Sequence, residues 1–340
     1  MIDAGTPPDD LLVVDDLRTY FRTEGATARS VDGVSFRVGR GETLAIVGES
    51  GSGKSVTSLS IMRLIPSPPG RIVGGTICFR GRDGAVRDFT KLSENDMFAI
   101  RGDEIGMIFQ EPMTCLNPVH TAGAQIGEVL RLHRGLGRRA AEAEAVDGLA
   151  AVGIPDPARR AAEYPHQMSG GMRQRVMIAM ALACEPDLII ADEPTTALDV
   201  SIQAQIIDLM LDIKARLGTA ILLITHDLGV VAEMADRIAV LYAGHVVEIA
   251  DCLTLFDAPR HPYTEGLLAA VPRLDVLVAD TPGRVRLAEL PGSVPSPSEW
   301  PRGCPFVPRC PLATDRCAAE MPPMTPLDAA HSVACWERAP

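Results

Sequence analysis

Residues Gly48-Glu49-Ser50-Gly51-Ser52-Gly53-Lys54-Ser55 match G-x-x-x-x-G-K-[ST] in full. Each residue type meets a need of triphosphate binding. Glycines let the chain turn tightly, so that successive N–H groups converge on phosphate oxygens. A helix starting at Ser55 adds its positive N-terminal end. Lys54 is suited to the β- and γ-phosphates, and the Ser55 hydroxyl to Mg²⁺. Far downstream, the apolar run Leu188-Ile189-Ile190-Ala191 ends in Asp192-Glu193. Carboxylates at the C-terminal edge of a buried strand lie where α/β sheets bind ligands. Asp192 is placed to hold Mg²⁺ and Glu193 to polarise an attacking water.

Those residues need a scaffold, and the hydrophobic pattern supplies one. Short strands are predicted at Leu11–Val14, Val34–Val38, Thr43–Val47 and Thr76–Phe79. A mostly helical stretch runs from about 96 to 165 and includes Arg138–Val152. Strands and helices then alternate: helix Met172–Ala183, strand Leu188–Ala191, helix Ser201–Leu217, strand Ala220–Thr225, helix Leu228–Ala235, strands Arg237–Tyr242 and His245–Ile249. Such alternation predicts an α/β fold with a mostly parallel sheet covered on both faces. No internal repeat is present, so the chain carries one nucleotide-binding unit.

Composition narrows the class. The 340 residues are 46% hydrophobic, enough for a sizeable core and too apolar for a disordered chain. Thirty-two basic against 44 acidic residues leave a net charge of −12, which argues against nucleic acid as a partner. No apolar run reaches the roughly 18–20 residues of a membrane-spanning helix. The acidic, proline-bearing start lacks the pattern of a signal peptide, so a cytoplasmic chain with reduced thiols is expected.

The stretch Tyr164-Pro165-His166-Gln167-Met168-Ser169-Gly170-Gly171-Met172-Arg173-Gln174-Arg175 resembles the signature segment of ABC transporter ATPases, with MSGGM where LSGGQ is usual. Gln110, after Met107-Ile108-Phe109, resembles the Q-loop glutamine. Ala197-Leu198-Asp199 resembles the D-loop, and His226 in Ile224-Thr225-His226-Asp227 the switch histidine. The resemblance covers about residues 11–258 and implies a P-loop NTPase (RecA-like) core with an inserted helical subdomain. It implies ATP and Mg²⁺ as cofactors, bound at a head-to-tail dimer interface. By it Gly48, Glu49, Ser50, Gly51, Ser52, Gly53, Lys54 and Ser55 cradle the phosphates. Gln110 contacts Mg²⁺ and water, Asp192 supports the metal, and Glu193 is the general base. His226 positions the water, and Asp199 communicates across the dimer. Ser169, Gly170 and Gly171 meet the γ-phosphate held by the other subunit. Phe21 stacks on adenine, with Tyr20 as the alternative.

His261-Pro262-Tyr263-Thr264, Pro291-Gly292-Ser293-Val294-Pro295 and Gly303-Cys304-Pro305-Phe306-Val307-Pro308-Arg309-Cys310 resemble the C-terminal extension of the oligopeptide/dipeptide/nickel importer subfamily. Gln110-Glu111-Pro112-Met113 to Leu116-Asn117-Pro118 fits the same group. The resemblance implies an ATPase on the cytoplasmic face of the membrane that drives peptide uptake. It implies two integral membrane permeases, an extracytoplasmic substrate-binding protein, and a second ABC ATPase, a paralogue in preference to a second copy. A nickel or other small-solute importer, or a soluble ABC-type ATPase acting on nucleic acid, are the alternatives.

Domain boundaries follow: a nucleotide-binding core at 1–95 and 166–258, a helical subdomain at 96–165, and an irregular Pro/Cys-rich C-terminal domain at 259–340. That last 82-residue stretch holds 15 of the 27 prolines, which disfavours long helices and central strands. Cys304, Cys310, Cys317 and Cys335 are spaced C-x5-C-x6-C-x17-C. Four thiols in a core-poor region invite a metal: a [4Fe–4S] cluster, or Zn²⁺, with free thiols or disulfides as the remaining reading.

Overall fold

Thr43–Val47, Leu188–Asp192 and Ala220–Thr225 are buried at every position. Their unbroken apolar character marks strands covered on both faces. Each Leu or Ile so placed contributes roughly 1.5–3 kcal/mol of burial. The computed structural model describes residues 10–23, 25–111, 115–196, 198–271 and 290–339. Pro112, Met113 and Ala197, singled out in the sequence, lie outside them.

In chain order the elements begin with β1 (Asp10–Thr23), β2 (Ala26–Gly39), β3 (Thr43–Val47), α1 (Lys54–Ile61), β4 (Gly70–Arg80), β5 (Val86–Asp88), α2 (Glu94–Ile100) and β6 (Ile105–Ile108). Then come α3 (Ala122–His133), α4 (Arg138–Ala151), α5 (Pro157–Ala161), α6 (Gly170–Leu182), β7 (Leu188–Asp192), α7 (Val200–Leu217), β8 (Ala220–Thr225) and α8 (Leu228–Met234). The chain continues through β9 (Arg237–Tyr242), β10 (His245–Asp251), α9 (Cys252–Asp257), α10 (Pro262–Ala269), α11 (Asp315–Ala319), β11 (Thr325–Pro326) and β12 (Ser332–Val333).

The described residues form two compact units, one within the spans Met1–Val13, Arg37–Thr43 and Ile77–Ile224, the other within Val14–Phe36, Leu44–Thr76 and Thr225–Pro340. In the first, β6, β7 and β8 run parallel, with Met107 opposite Ile190 and Ile190 opposite Leu222. The helical segment predicted at 96–165 belongs to this unit. Glycine lets its helices approach closely: a Cβ at Gly123 of α3 would come within 2.9 Å of the Ala161 carbonyl of α5. Ser93 caps α2, accepting the Asp96 N–H while the Asp96 carboxylate accepts the Ser93 N–H.

In the second unit β3 pairs parallel with β9, placing Ile46 opposite Ala239. β9 turns through Ala243 and Gly244, both at positive φ (44° and 69°), into antiparallel β10. The tail then returns, and β12 pairs antiparallel with β10. As the prolines predict, the described tail is built from short pieces. Tyr242, Tyr263 and Phe306 form an aromatic cluster with ring centroids 4.6–5.5 Å apart. Glu248 of β10 is fully buried and accepts the main-chain N–H groups of Arg260 (2.7 Å) and His261 (2.9 Å). His331 Nε2 lies 2.7 Å from the same carboxylate.

Candidate nucleotide site

The phosphate loop leaves β3 at Gly48 and enters α1 at Lys54. Its turns are local consequences of glycine. Gly51 (φ 79°) and Gly53 (φ 102°) occupy the left-handed region. At Gly48 the constraint is space: a Cβ would collide with the Leu241 carbonyl and come within 2.9 Å of Ser52 Oγ. The loop is tied to the β9–β10 turn, where Gly244 N–H donates to Ser52 O at 2.8 Å. Lys54 is 6% exposed, and its Nζ donates to the carbonyls of Gly48 (2.8 Å) and Glu49 (2.9 Å). The ammonium is thereby folded back over the loop that it serves.

In the other unit, β7 ends in Asp192, 5% exposed. Glu193 follows at φ 49°, a strained conformation for a residue with a side chain. Its N–H donates to Ile224 O at 2.8 Å, which fixes the turn. Glu193 Oε2 accepts two donors, Gln110 Nε2 at 2.9 Å and Thr196 Oγ1 at 2.8 Å. The fold thus joins two of the expected catalytic residues, and adds Thr196. Sequence reading missed that threonine, although a hydroxyl three residues after the acid is a visible signal.

Ser169 caps α6, its Oγ accepting the Met172 N–H at 3.3 Å. Ser169 and Gly170 are exposed, on a thirteen-residue helix whose positive end favours an anion. Gln174 of the same helix is buried and donates Nε2–H to Pro194 O at 2.6 Å, linking the signature helix to the Glu193 turn. Asp199 caps α7 through the Ile202 N–H (3.0 Å) and is exposed beside Val200, itself 84% exposed. In the second unit His226 follows β8 and is exposed. Tyr20 and Phe21 point to opposite faces of β1, as strand alternation requires. Tyr20 donates to Asp32 Oδ1 at 2.7 Å beneath Arg29, whereas the Phe21 ring lies against Gly70.

A profile described as "ABC transporter" matches residues 31–196, and one described as "Oligopeptide/dipeptide transporter, C-terminal region" matches 247–317. The oligopeptide transport ATP-binding protein AppD of Bacillus subtilis is 51% identical over 327 residues, 96% of each chain. The dipeptide transport ATP-binding protein DppD of Escherichia coli is 52% identical over 317 residues, 93% of each chain. The chain belongs to the ABC transporter family. Its cassette fold is that of the ATP-binding cassette MJ0796, a dimer solved with ADP and Pi (TM-score 0.63, 28% identity, 71% of this chain and 99% of that one). It is also that of cbiO1 from Clostridium perfringens (TM-score 0.60, 26% identity, 74% and 92%). Family membership makes this chain an ATP-binding, ATP-hydrolysing subunit with a P-loop NTPase fold.

The tail cysteines depart from expectation. All four are free, and Cys304, Cys317 and Cys335 are buried. Burial pushes the Cys304 thiol up to about 11, with the neighbouring Cys310, Cys317 and Cys335 adding to the effect. Yet among the described residues no three His, Cys, Asp or Glu side chains are grouped to hold a metal ion. The expected iron–sulfur or zinc centre finds no support in this geometry. The thiols instead pack against neighbours within the tail, Cys317 Sγ lying 3.2 Å from Thr314 Oγ1. No helix among the described residues is long and apolar enough to cross a membrane.

Proposed function

We propose that this chain is the ATPase subunit of a peptide importer and that it hydrolyses ATP to drive oligopeptide or dipeptide uptake through two membrane permeases. The carrying observation is identity above 50% with oligopeptide and dipeptide transport ATP-binding proteins over nearly the whole chain, extension included. In this reading Lys54 and the 48–55 loop bind the phosphates, while Phe21 stacks on adenine. Ser55, Gln110 and Asp192 present the hard oxygen donors suited to Mg²⁺, which neutralises phosphate charge when bound. Glu193 is the general base, oriented by Gln110 and Thr196, and His226 positions the water.

The exposed Ser169 and Gly170, with half-buried Gly171, and the exposed Asp199 support a head-to-tail dimer, in which each signature serine meets the neighbour's γ-phosphate. A paralogous ATPase is the favoured neighbour. We also read 1–95 with 166–258 as the nucleotide-binding core, 96–165 as the helical subdomain that meets the permeases, and 259–340 as the appended domain. The chain then works at the cytoplasmic face of the membrane, with an extracytoplasmic binding protein delivering substrate. An iron–sulfur or zinc centre on the tail thiols forms no part of this reading.

Reconstitution tests the proposal. The chain, co-expressed with the permeases and second ATPase of its own transporter, should show ATP hydrolysis stimulated by peptide-loaded binding protein. Stimulation by nickel-loaded binding protein alone would move the function to the metal importers. Co-purification with nucleic acid and no permease would refute membrane transport.

A further inference from the structure

The first turn of the phosphate loop is gripped from outside, by the C-terminal extension. Both carboxylate oxygens of Glu49 accept guanidinium N–H groups of Arg309, Nη1 to Oε2 and Nη2 to Oε1, each at 3.0 Å. The Glu49 main-chain N–H donates to Tyr263 Oη at 2.8 Å. Arg309 is 4% exposed along its side chain. Its Nε donates to Pro291 O at 2.8 Å, and its guanidinium lies 5.7 Å from the Tyr242 ring centroid and 5.8 Å from that of Phe306. So confined, the fork has one orientation, and that orientation is spent on Glu49.

Two readings compete. Arg309 either staples the extension to the core or serves the loop. The staple already exists elsewhere: Glu248 binds the main chain at Arg260 and His261 and meets His331, and β12 extends the sheet at β10. The charge at the loop has no such second explanation. Glu49 brings a carboxylate into a loop whose ligand is a polyanion, and at short range through protein that repulsion is large. A bidentate guanidinium cancels it and holds the side chain still.

We infer that Arg309, helped by Tyr263, is a positioning residue of the nucleotide site, cancelling the Glu49 charge and holding the first turn of the loop ready for a triphosphate. The inference rests on the reading of residues 48–55 as the nucleotide loop. It makes the extension part of the ATP site through Arg309 of the Pro308-Arg309-Cys310 stretch and Tyr263 of His261-Pro262-Tyr263.

The test measures the Kd of MgATP with the full-length chain by equilibrium dialysis. Arg309→Gln is expected to weaken ATP about ten-fold, within the range of coupling between linked sites. The loss should shrink as salt rises, because screening weakens the exposed charge. Adding Glu49→Gln to Arg309→Gln should restore most of the affinity, a rescue that a purely structural arginine would not show. Unchanged affinity in Arg309→Gln, or a loss that Glu49→Gln leaves intact, overturns the inference. Should Arg309→Gln not fold, Arg309→Lys keeps the charge but loses the two-pronged grip, so it should weaken ATP by less than about ten-fold, and Glu49→Gln should recover the affinity; a loss that the second change leaves intact overturns the inference. The reading of the loop has its own control. If Lys54→Ala binds ATP as the wild type does, that reading falls, whatever Arg309 does.

Discussion

Gln110 Nε2 donates to Glu193 Oε2 at 2.9 Å, joining residues 83 positions apart. The amide approaches the same oxygen that Thr196 Oγ1 holds at 2.8 Å. Two donors on one oxygen orient the carboxylate. A base must point in one direction to take a proton from one water. Under the proposed roles, movement of the Gln110 loop would reach Glu193 directly, a short physical route from the proposed permease partner to the chemistry.

Glu193→Gln retains the shape and loses the carboxylate proposed as the base. ATP binding is expected to persist, while turnover falls by about 10²–10⁴, the usual worth of general base catalysis. Phosphate release by the assembled transporter, measured beside nucleotide occupancy, checks this. Hydrolysis at the wild-type rate would remove Glu193 from its role.

Gly48 and Gly51 should separate steric from conformational need. A Cβ at Gly48 meets the Leu241 carbonyl, whereas at Gly51 nothing lies within 4 Å and only the positive φ of 79° resists substitution. Gly51→Ala should cost about 1 kcal/mol of stability. Gly48→Ala should cost more, roughly 2–3 kcal/mol, and weaken ATP as the loop shifts. Denaturant midpoints and ATP affinities of the two variants, compared side by side, test the order; equal effects would contradict it.

His261 gives the extension an acid limit. Its ring is buried, Nδ1 accepts the Tyr263 N–H at 3.1 Å, and burial holds its pKa down to about 3 against the usual 6.5. Below pH 6.5 the unfolded chain takes up a proton that the folded chain refuses, so this contribution to stability is present above that pH and is lost as pH falls toward 3. At pH 4 the loss approaches about 3 kcal/mol at most. His261→Asn keeps a side-chain acceptor and removes the titration. Its unfolding free energy should depend less on pH between 6.5 and 4 than that of the wild type, as read by denaturant titration.

Cys304 should be a poor nucleophile. With its thiol at about 11, little thiolate exists at pH 8, and burial excludes reagent as well. The folded chain should leave Cys304 unmodified by iodoacetamide at pH 8, and denaturant should expose it, as peptide mass spectrometry would show. The linkage runs opposite to that of His261. Above pH 9 the unfolded thiol ionises first, so stability falls as pH rises from 9 toward 11.

What the residues alone determined are the features that depend on near neighbours. The phosphate loop is legible because its groups are contiguous: glycine conformation, backbone N–H direction and the start of a helix are settled within eight residues. The buried strands Thr43–Val47 and Leu188–Asp192 are legible because burial on both faces demands an unbroken apolar run. Family resemblance carried the rest of the expected site, from Gln110 to His226. Only the tertiary structure decided which distant groups meet. Glu49 and Arg309 are 260 positions apart, and neither their types nor any periodicity marks them as partners. The same holds for Thr196 beside Glu193, where a hydroxyl three residues along becomes a ligand only because Glu193 turns at φ 49°. The tail cysteines show the converse. Their spacing suggested a ligand set, but spacing measures chain length, whereas a metal site needs directions that only packing sets.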